Sequence, residues 1–208
     1  MNISRLEIIN KLAMAIALLF SLIMHENAHG LMAYLMGDST AKDAGRISLN
    51  PLKHLSLYGT LSLFIFKFGW AKPVPVNPYN YRKKRLGNFL VSIAGISTNL
   101  IMALISVLIY YGLSNLGIKS FFLAFFMEYL ITYNVFLAIF NLIPIPPLDG
   151  SKIIYTFLPD NLVYKLSKNE QYFNILLIIL IVTGVVGNIV HFFSNYVIDF
   201  FNFILRVI

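Results

Sequence analysis

Four stretches of the 208-residue chain are apolar over more than twenty residues, and they lie at 12–36, 86–113, 121–143 and 172–193. A helix needs about 20 apolar residues to cross the hydrocarbon core of a bilayer, where every backbone polar group must be paired within the protein. Only 12% of the residues are charged, against about 25% in a typical soluble domain. The sequence therefore predicts an all-α integral membrane protein with about four transmembrane helices.

A shorter apolar run at 55–66 lies between the first two predicted spans. It is too short to cross a bilayer as a helix, and its β-branched and aromatic residues favour extended structure. We expect a re-entrant or β-hairpin segment there. Its edge at 57–66 could hold an unwound peptide by strand addition, or the hairpin could only seal the site. The whole chain, 1–208, is predicted to form one membrane-embedded domain.

Lysine and arginine are distributed unevenly about these spans. Twelve of the sixteen lie in the two long loops at 37–85 and 150–171, and four lie on the other side. Cytoplasmic loops carry an excess of positive charge, so the sequence predicts a multi-pass cell-membrane protein with cytoplasmic loops at 37–85 and 150–171 and its amino terminus outside. The net charge of +7 is not gathered on one basic face. We expect contact with the lipid bilayer and no nucleic-acid partner, and the sequence does not indicate an oligomeric state.

The most informative motif is His25-Glu26-Asn27-Ala28-His29, inside the first apolar stretch. Residues four apart share one face of a helix, so both imidazoles can bind the same metal ion, and Glu26 can accept a proton from a water beside it. Each ionisable group at the centre of a membrane helix costs at least ~2.5 kcal/mol unless it is paired, liganded or hydrated. The simplest alternative to a metal site is a polar helix face that lines a helix bundle or a proton path and binds no metal.

Zinc at a hydrolytic site usually has three protein ligands and one open position. The chain has no cysteine, and we interpret His54 as a structural loop residue, so a carboxylate is the expected third ligand. Asp149 is the best candidate because it follows the proline-rich break at 144–147 and lies, like the two histidines, toward the cytoplasmic side. Asn99 and Asn134 are expected to form interhelical hydrogen bonds.

Together these motifs resemble those of the site-2 protease family of intramembrane zinc metalloproteases, and especially its short bacterial branch. The resemblance covers the first three spans and the loop between the first two, about 70% of the chain. The matching stretches are HENAHG at 25–30, GDSTAKDAGRISLNPLKH at 37–54, GWAKPVPVN at 69–77, AGISTNL at 94–100 and FNLIPIPPLDG at 140–150.

The resemblance implies a protease that hydrolyses peptide bonds in or near the transmembrane segments of membrane-protein substrates. It implies one zinc ion per chain, bound by His25, His29 and Asp149, with Glu26 as the catalytic base. It also implies that Asn141 binds substrate or stabilises the oxyanion. The chain departs from the family at two places, with Ser56 where an Asp is frequent and Ile96 where a Pro is usual; neither is a metal ligand.

Two other functions are compatible with the motifs. A non-catalytic membrane adaptor of the same fold would bind client helices and would not need Glu26. A metal transporter would use His25, His29 and Asp149 as a transient site, but transporters usually have inverted repeats and paired broken helices. The sequence has one such break, after Asn141.

Overall fold

A computed structural model describes residues 3–56 and 72–207, and within those ranges the regular secondary structure is helical. Residues 57–66 of the predicted re-entrant or hairpin segment lie outside the described residues. Two short 3-10 turns occur at Pro51–Lys53 and Pro78–Asn80. The α-helices of the described ranges are α1 (Ile3–Leu35), α2 (Thr40–Asp43), α3 (Lys84–Asn115), α4 (Phe121–Leu142), α5 (Asp149–Tyr155), α6 (Asp160–Lys168), α7 (Glu170–Val182) and α8 (Val185–Val207).

Helices α1, α3 and α4 are each long and apolar enough to cross a membrane, and each packs against the other two. They contain the spans predicted at 12–36, 86–113 and 121–143 to within one residue, and α1 and α3 extend beyond those predictions. The 33 residues of α1 measure about 50 Å at ~1.5 Å per residue, more than the ~30 Å hydrocarbon core. Over the described residues the all-helical fold is as predicted, with three candidate membrane spans, or four if the bent pair described next is counted as one.

The fourth predicted span, 172–193, is not a single straight helix. Helix α7 ends at Val182, α8 begins at Val185, and the two axes meet at 72°. Gly184 between them has φ +79°, a left-handed backbone conformation that glycine adopts without steric cost. Apolar residues continue on both sides of the bend, so hydropathy could not locate it. The predicted loop at 150–171 also differs, because it contains most of α5 and all of α6.

Fully buried alanines lie where the long helices meet. Small side chains let membrane helices approach closely, so that dispersion contacts and interhelical hydrogen bonds can form. The alanines without exposed surface on α1, α3 and α4 are Ala13, Ala17, Ala33, Ala103 and Ala138.

The turn between α4 and α5, residues 143–148, carries the chain back toward the bundle. Helix α4 ends at Leu142, before the predicted break at Pro144, since a residue that precedes proline is pushed to an extended conformation. A Cβ at Gly150 would lie 2.3 Å from the Leu142 carbonyl oxygen, so glycine is required where the turn closes. The bent pair supports this turn through an apolar cluster of Ile143, Leu148, Leu177, Val186 and Val190. This packing sets the position of α5 and its first residue.

Candidate metal centre

Three predicted ligands from two distant parts of the chain meet at one point. His25 and His29 lie one turn apart on α1, and Asp149 is the first residue of α5. The Asp149 Oδ2 atom is 3.0 Å from His29 Nε2 and 3.3 Å from His25 Nε2, and the two Nε2 atoms are 3.0 Å apart. The three side chains are largely buried and could hold one metal ion.

The other ring nitrogen of each histidine is hydrogen-bonded to an oxygen. His29 Nδ1 donates to the Val91 carbonyl at 2.7 Å, and His25 Nδ1 donates to Asn99 Oδ1 at 2.6 Å. Metal-binding histidines commonly use their second nitrogen in this way, which fixes the tautomer and the ring orientation. Both Nε2 atoms are thereby left with a lone pair directed at the same point.

This arrangement fits a zinc ion in spacing and in donor chemistry. Ligand atoms on a tetrahedral zinc at about 2.1 Å lie roughly 3.4 Å apart, close to the 3.0–3.3 Å separations of this cluster. Two nitrogen lone pairs and a carboxylate oxygen repel one another in a buried site unless a cation is shared among them. Lys152 does not fill this role, because its Nζ donates to the other Asp149 oxygen, Oδ1, at 3.1 Å.

Gly95 on α3 forms the wall against which the two imidazoles pack. A Cβ there would lie 2.6 Å from both His25 Cε1 and His29 Nε2. No side chain larger than hydrogen fits without displacing a ring. Our sequence reasoning missed this role. The sequence signals for it are a glycine in the interior of a predicted span, which often marks a close approach, and its place in the matching stretch at 94–100.

Glu26 is held by the main chain of a loop. Its Oε2 accepts a hydrogen bond from the Val74 N–H at 2.7 Å, which leaves Oε1 without a hydrogen bond from the residues that the structure describes. The guanidinium of Arg46 donates to the carbonyls of Lys72 and Pro73 at 2.8 and 3.2 Å and so fixes the chain just before Val74. Sequence reasoning did not predict the hydrogen bond between Glu26 and Val74, because it joins residues 48 positions apart in sequence.

Asp38 holds the other end of this loop against the end of α1. Fully buried, it accepts hydrogen bonds from the N–H groups of Thr40 and Asn77 at 3.1 and 2.6 Å and from Asn80 Nδ2 at 2.8 Å. Burial raises the pKa of Asp38, but these hydrogen bonds outweigh it and keep the pKa below its ordinary value of 3.8. Burial, and then the negative charge of Asp38, raise the pKa of Tyr81 to about 12.

The remaining predicted residues divide into two groups. Asn99 and Asn134 form the expected interhelical hydrogen bond at 2.8 Å, which confirms that prediction. His54 is buried and donates through Nε2 to the Ser48 carbonyl at 2.7 Å, in agreement with its predicted structural role. The hydrogen bond of Asn141 stays within its own helix, from Nδ2 to the Leu137 carbonyl at 2.9 Å. Within the described residues, Asn141 makes no hydrogen bond to the metal-ligand cluster.

The site and the fold together define a class of protein. A buried cluster of two histidines and an aspartate among apolar helices, with a glutamate next to the first histidine, is the arrangement of a membrane-embedded metallohydrolase. Residues 13–186 match the sequence profile of Peptidase family M50, and the chain belongs to this family. It is a zinc metalloprotease, and the resemblance to the site-2 proteases is confirmed.

Two curated relatives agree with this assignment. The chain is 44% identical over 175 residues to "Putative zinc metalloprotease YwhC" of Bacillus subtilis, an alignment that covers 82% of this chain and 80% of that protein. It is 26% identical over 195 residues to "Putative zinc metalloprotease Rip2" of Mycolicibacterium smegmatis, covering 89% and 71%. No solved structure matches the chain significantly.

Proposed function

We propose that this protein is an intramembrane protease that hydrolyses peptide bonds in or near the transmembrane segments of membrane-protein substrates. The observation that carries the proposal is the convergence of His25, His29 and Asp149 within a bundle of membrane-length apolar helices. Membership in a peptidase family favours this function over a non-catalytic adaptor and over a metal transporter. We further propose that the chain works as one membrane-embedded domain.

In this proposal His25, His29 and Asp149 hold one zinc ion. When bound, zinc supplies Lewis-acid chemistry, since it lowers the pKa of a water to about 7 and polarises a peptide carbonyl. The chain's own contribution is a rigid set of ligands. The Nδ1 hydrogen bonds orient both rings, and Lys152 engages Asp149 Oδ1 so that Oδ2 is left to face the histidines.

Glu26 is proposed to be the general base and then the general acid. Oε1, which has no hydrogen bond from the described part of the chain, can accept a proton from the attacking water and deliver it to the departing amine, while Oε2 stays on the Val74 N–H. Catalysis of this kind needs no covalent acyl-enzyme. Asn141 is proposed to hydrogen-bond the oxyanion or the substrate. Its amide would have to leave the Leu137 carbonyl to do so.

The site is proposed to open toward the cytoplasm. The longer of the two positively charged loops that predict a cytoplasmic side, 37–85, follows α1, and His25 lies about 21 Å beyond Lys11 along that helix at ~1.5 Å per residue. In the proposed orientation this depth would put the cluster nearer the cytoplasmic end of α1, where water can reach it. A substrate helix must also unwind before a peptide carbonyl is accessible, so spans with helix-weakening residues near the cleavage point should be preferred.

Comparative proteomics of membrane fractions tests the proposed function. Cells that contain the wild-type protein are expected to accumulate fragments with a new end inside a transmembrane segment, and cells that contain Glu26→Gln at the same level are not. Such fragments identify substrates and cleavage positions together. If new ends appeared only in soluble proteins or in exposed loops far from any span, the intramembrane assignment would be wrong.

Removal of the metal is expected to abolish proteolysis reversibly. Purified protein should contain one zinc per chain by elemental analysis, a strong chelator should remove metal and cleavage in parallel, and added zinc should restore both. Asp149→Ala should retain little zinc, while the matched change Asp160→Ala, at a side chain that is 93% exposed, should leave the zinc content unchanged. Full cleavage by metal-free protein would contradict a zinc mechanism.

A further inference from the structure

We propose that Asn99 and Asn134 are positioning residues of the metal centre: a buried hydrogen-bond chain through these two side chains sets the tautomer of His25. The inference rests on the proposed function, because it takes His25 as a zinc ligand. The hydrogen-bond chain runs from α4 through α3 to α1, and its members Ser21, Asn99 and Asn134 have no exposed surface. A buried polar chain inside an apolar bundle is stable only if every member is paired.

The hydrogen-bond chain begins at two backbone carbonyls, which can only accept hydrogen bonds. Asn134 Nδ2 lies 2.7 Å from the Leu130 carbonyl and 2.8 Å from Ser21 Oγ, and the Ser21 hydroxyl donates to the Ala17 carbonyl at 2.8 Å. The nitrogen of Asn134 must therefore occupy this side, since its oxygen would face the Leu130 carbonyl without a proton between them. The amide orientation of Asn134 follows from the helix backbone.

The orientation of Asn134 then determines the direction of each remaining hydrogen bond. Asn134 Oδ1 faces α3, so Asn99 must present its Nδ2, at 2.8 Å. Asn99 Oδ1 then faces His25 Nδ1 at 2.6 Å and can only accept, so the proton of the His25 ring is on Nδ1. His25 Nε2 is left with its lone pair directed at His29 and Asp149, as metal binding requires.

The two histidine ligands differ in what holds them. The Val91 carbonyl fixes the tautomer of His29 directly, and no side-chain substitution removes that carbonyl. The tautomer of His25 depends instead on two side chains, the second of which does not touch the ring. Substitutions along the chain should therefore weaken zinc binding through His25 alone.

Zinc affinity measured by competition with a chromophoric chelator, on full-length protein in detergent, tests this inference. Asn99→Leu removes the acceptor at similar size and should raise the zinc Kd about 10- to 100-fold, the range for outer-shell partners of metal ligands. Asn99→Asp keeps an acceptor for the His25 proton but replaces the donor to Asn134 Oδ1 with a second oxygen, so it should weaken zinc binding less than Asn99→Leu does. Ser106→Ala is the matched control, because Ser106 is a buried residue of α3 that donates to the Met102 carbonyl, outside the chain, and it should bind zinc as the wild type does.

A double-mutant cycle separates positioning from general loss of packing. Asn134→Leu should weaken zinc binding less than Asn99→Leu, and the double variant should equal Asn99→Leu alone, because both act through one chain. Additive effects, or a wild-type Kd in all of these variants, would overturn the inference while leaving the proposed function intact. Equal losses in Asn99→Asp and Asn99→Leu would overturn it too. If the wild-type protein itself bound no zinc, the proposed function would fail first, so the two failures are distinguishable.

Discussion

Glu26→Gln is expected to abolish peptide-bond cleavage while one zinc ion per chain remains bound. General acid–base catalysis contributes about 10²- to 10⁴-fold to rate, and a glutamine has no basic oxygen to take a proton from water. The amide oxygen of glutamine can still accept the Val74 N–H that now bonds to Glu26 Oε2. The loop and the metal ligands should therefore keep their positions, so the loss should lie in chemistry and not in folding.

The measurement is cleavage of a reconstituted membrane-protein substrate together with zinc content and thermal unfolding of the same preparation. Glu170→Gln, an exposed glutamate at the start of α7, is the matched control and should cleave as the wild type does. Cleavage by Glu26→Gln within tenfold of wild type would show that Glu26 is not the base. Loss of zinc along with cleavage would show instead that Glu26 supports the metal site.

Gly95→Ala is expected to eliminate both zinc binding and proteolysis. The added methyl would lie 2.6 Å from one atom of each histidine ring and 2.8 Å from His25 Nδ1, separations that Cβ atoms do not show in real structures. The rings cannot retreat easily, because Asn99 and the Val91 carbonyl hold them from behind. We expect a loss of zinc affinity of 100-fold or more, on the order of the largest effects reported for outer-shell substitutions.

Gly112→Ala provides a control on the same helix, since a Cβ at Gly112 meets nothing within 4 Å. Alanine has the higher helix propensity by about 1 kcal/mol, so this variant should be as stable as the wild type or more stable, with zinc affinity unchanged. The same change at two positions of α3 thus separates contact with the rings from any general effect on the helix. Normal zinc binding by Gly95→Ala would mean that the histidines do not pack against α3 as described.

Much of the fold could be predicted because its causes are local. A bilayer-length apolar stretch must be helical, so hydropathy located α3, α4 and the end of α1 to within two residues, although α1 begins nine residues before the predicted span. The helical period alone places His25 and His29 on one face. The fourth apolar stretch, 172–193, was not predicted correctly as one straight helix, because the bend at Gly184 depends on backbone conformation and not on hydropathy.

The role of Asp149 could be predicted from the sequence, but its position could not. Its residue type and its place after a proline-rich break made it a candidate ligand, but its distance from the histidines depends on how the 143–148 turn packs against α7 and α8. The strand-addition role considered for 57–66 stays a prediction, since those residues lie outside the described ranges. Asn141 also stays a prediction as a substrate or oxyanion ligand.

From its residues alone, the chain had to be a helical membrane protein with a pair of histidines and a glutamate available for metal-dependent hydrolysis, because those features depend on solvent and on helical period. Only the packed structure brought Gly95 against the rings, Val74 onto Glu26 and the two asparagines behind His25. Each of these contacts joins parts of the chain that are far apart in sequence. Their geometry depends on the relative positions of several helices at once, which no local pattern encodes.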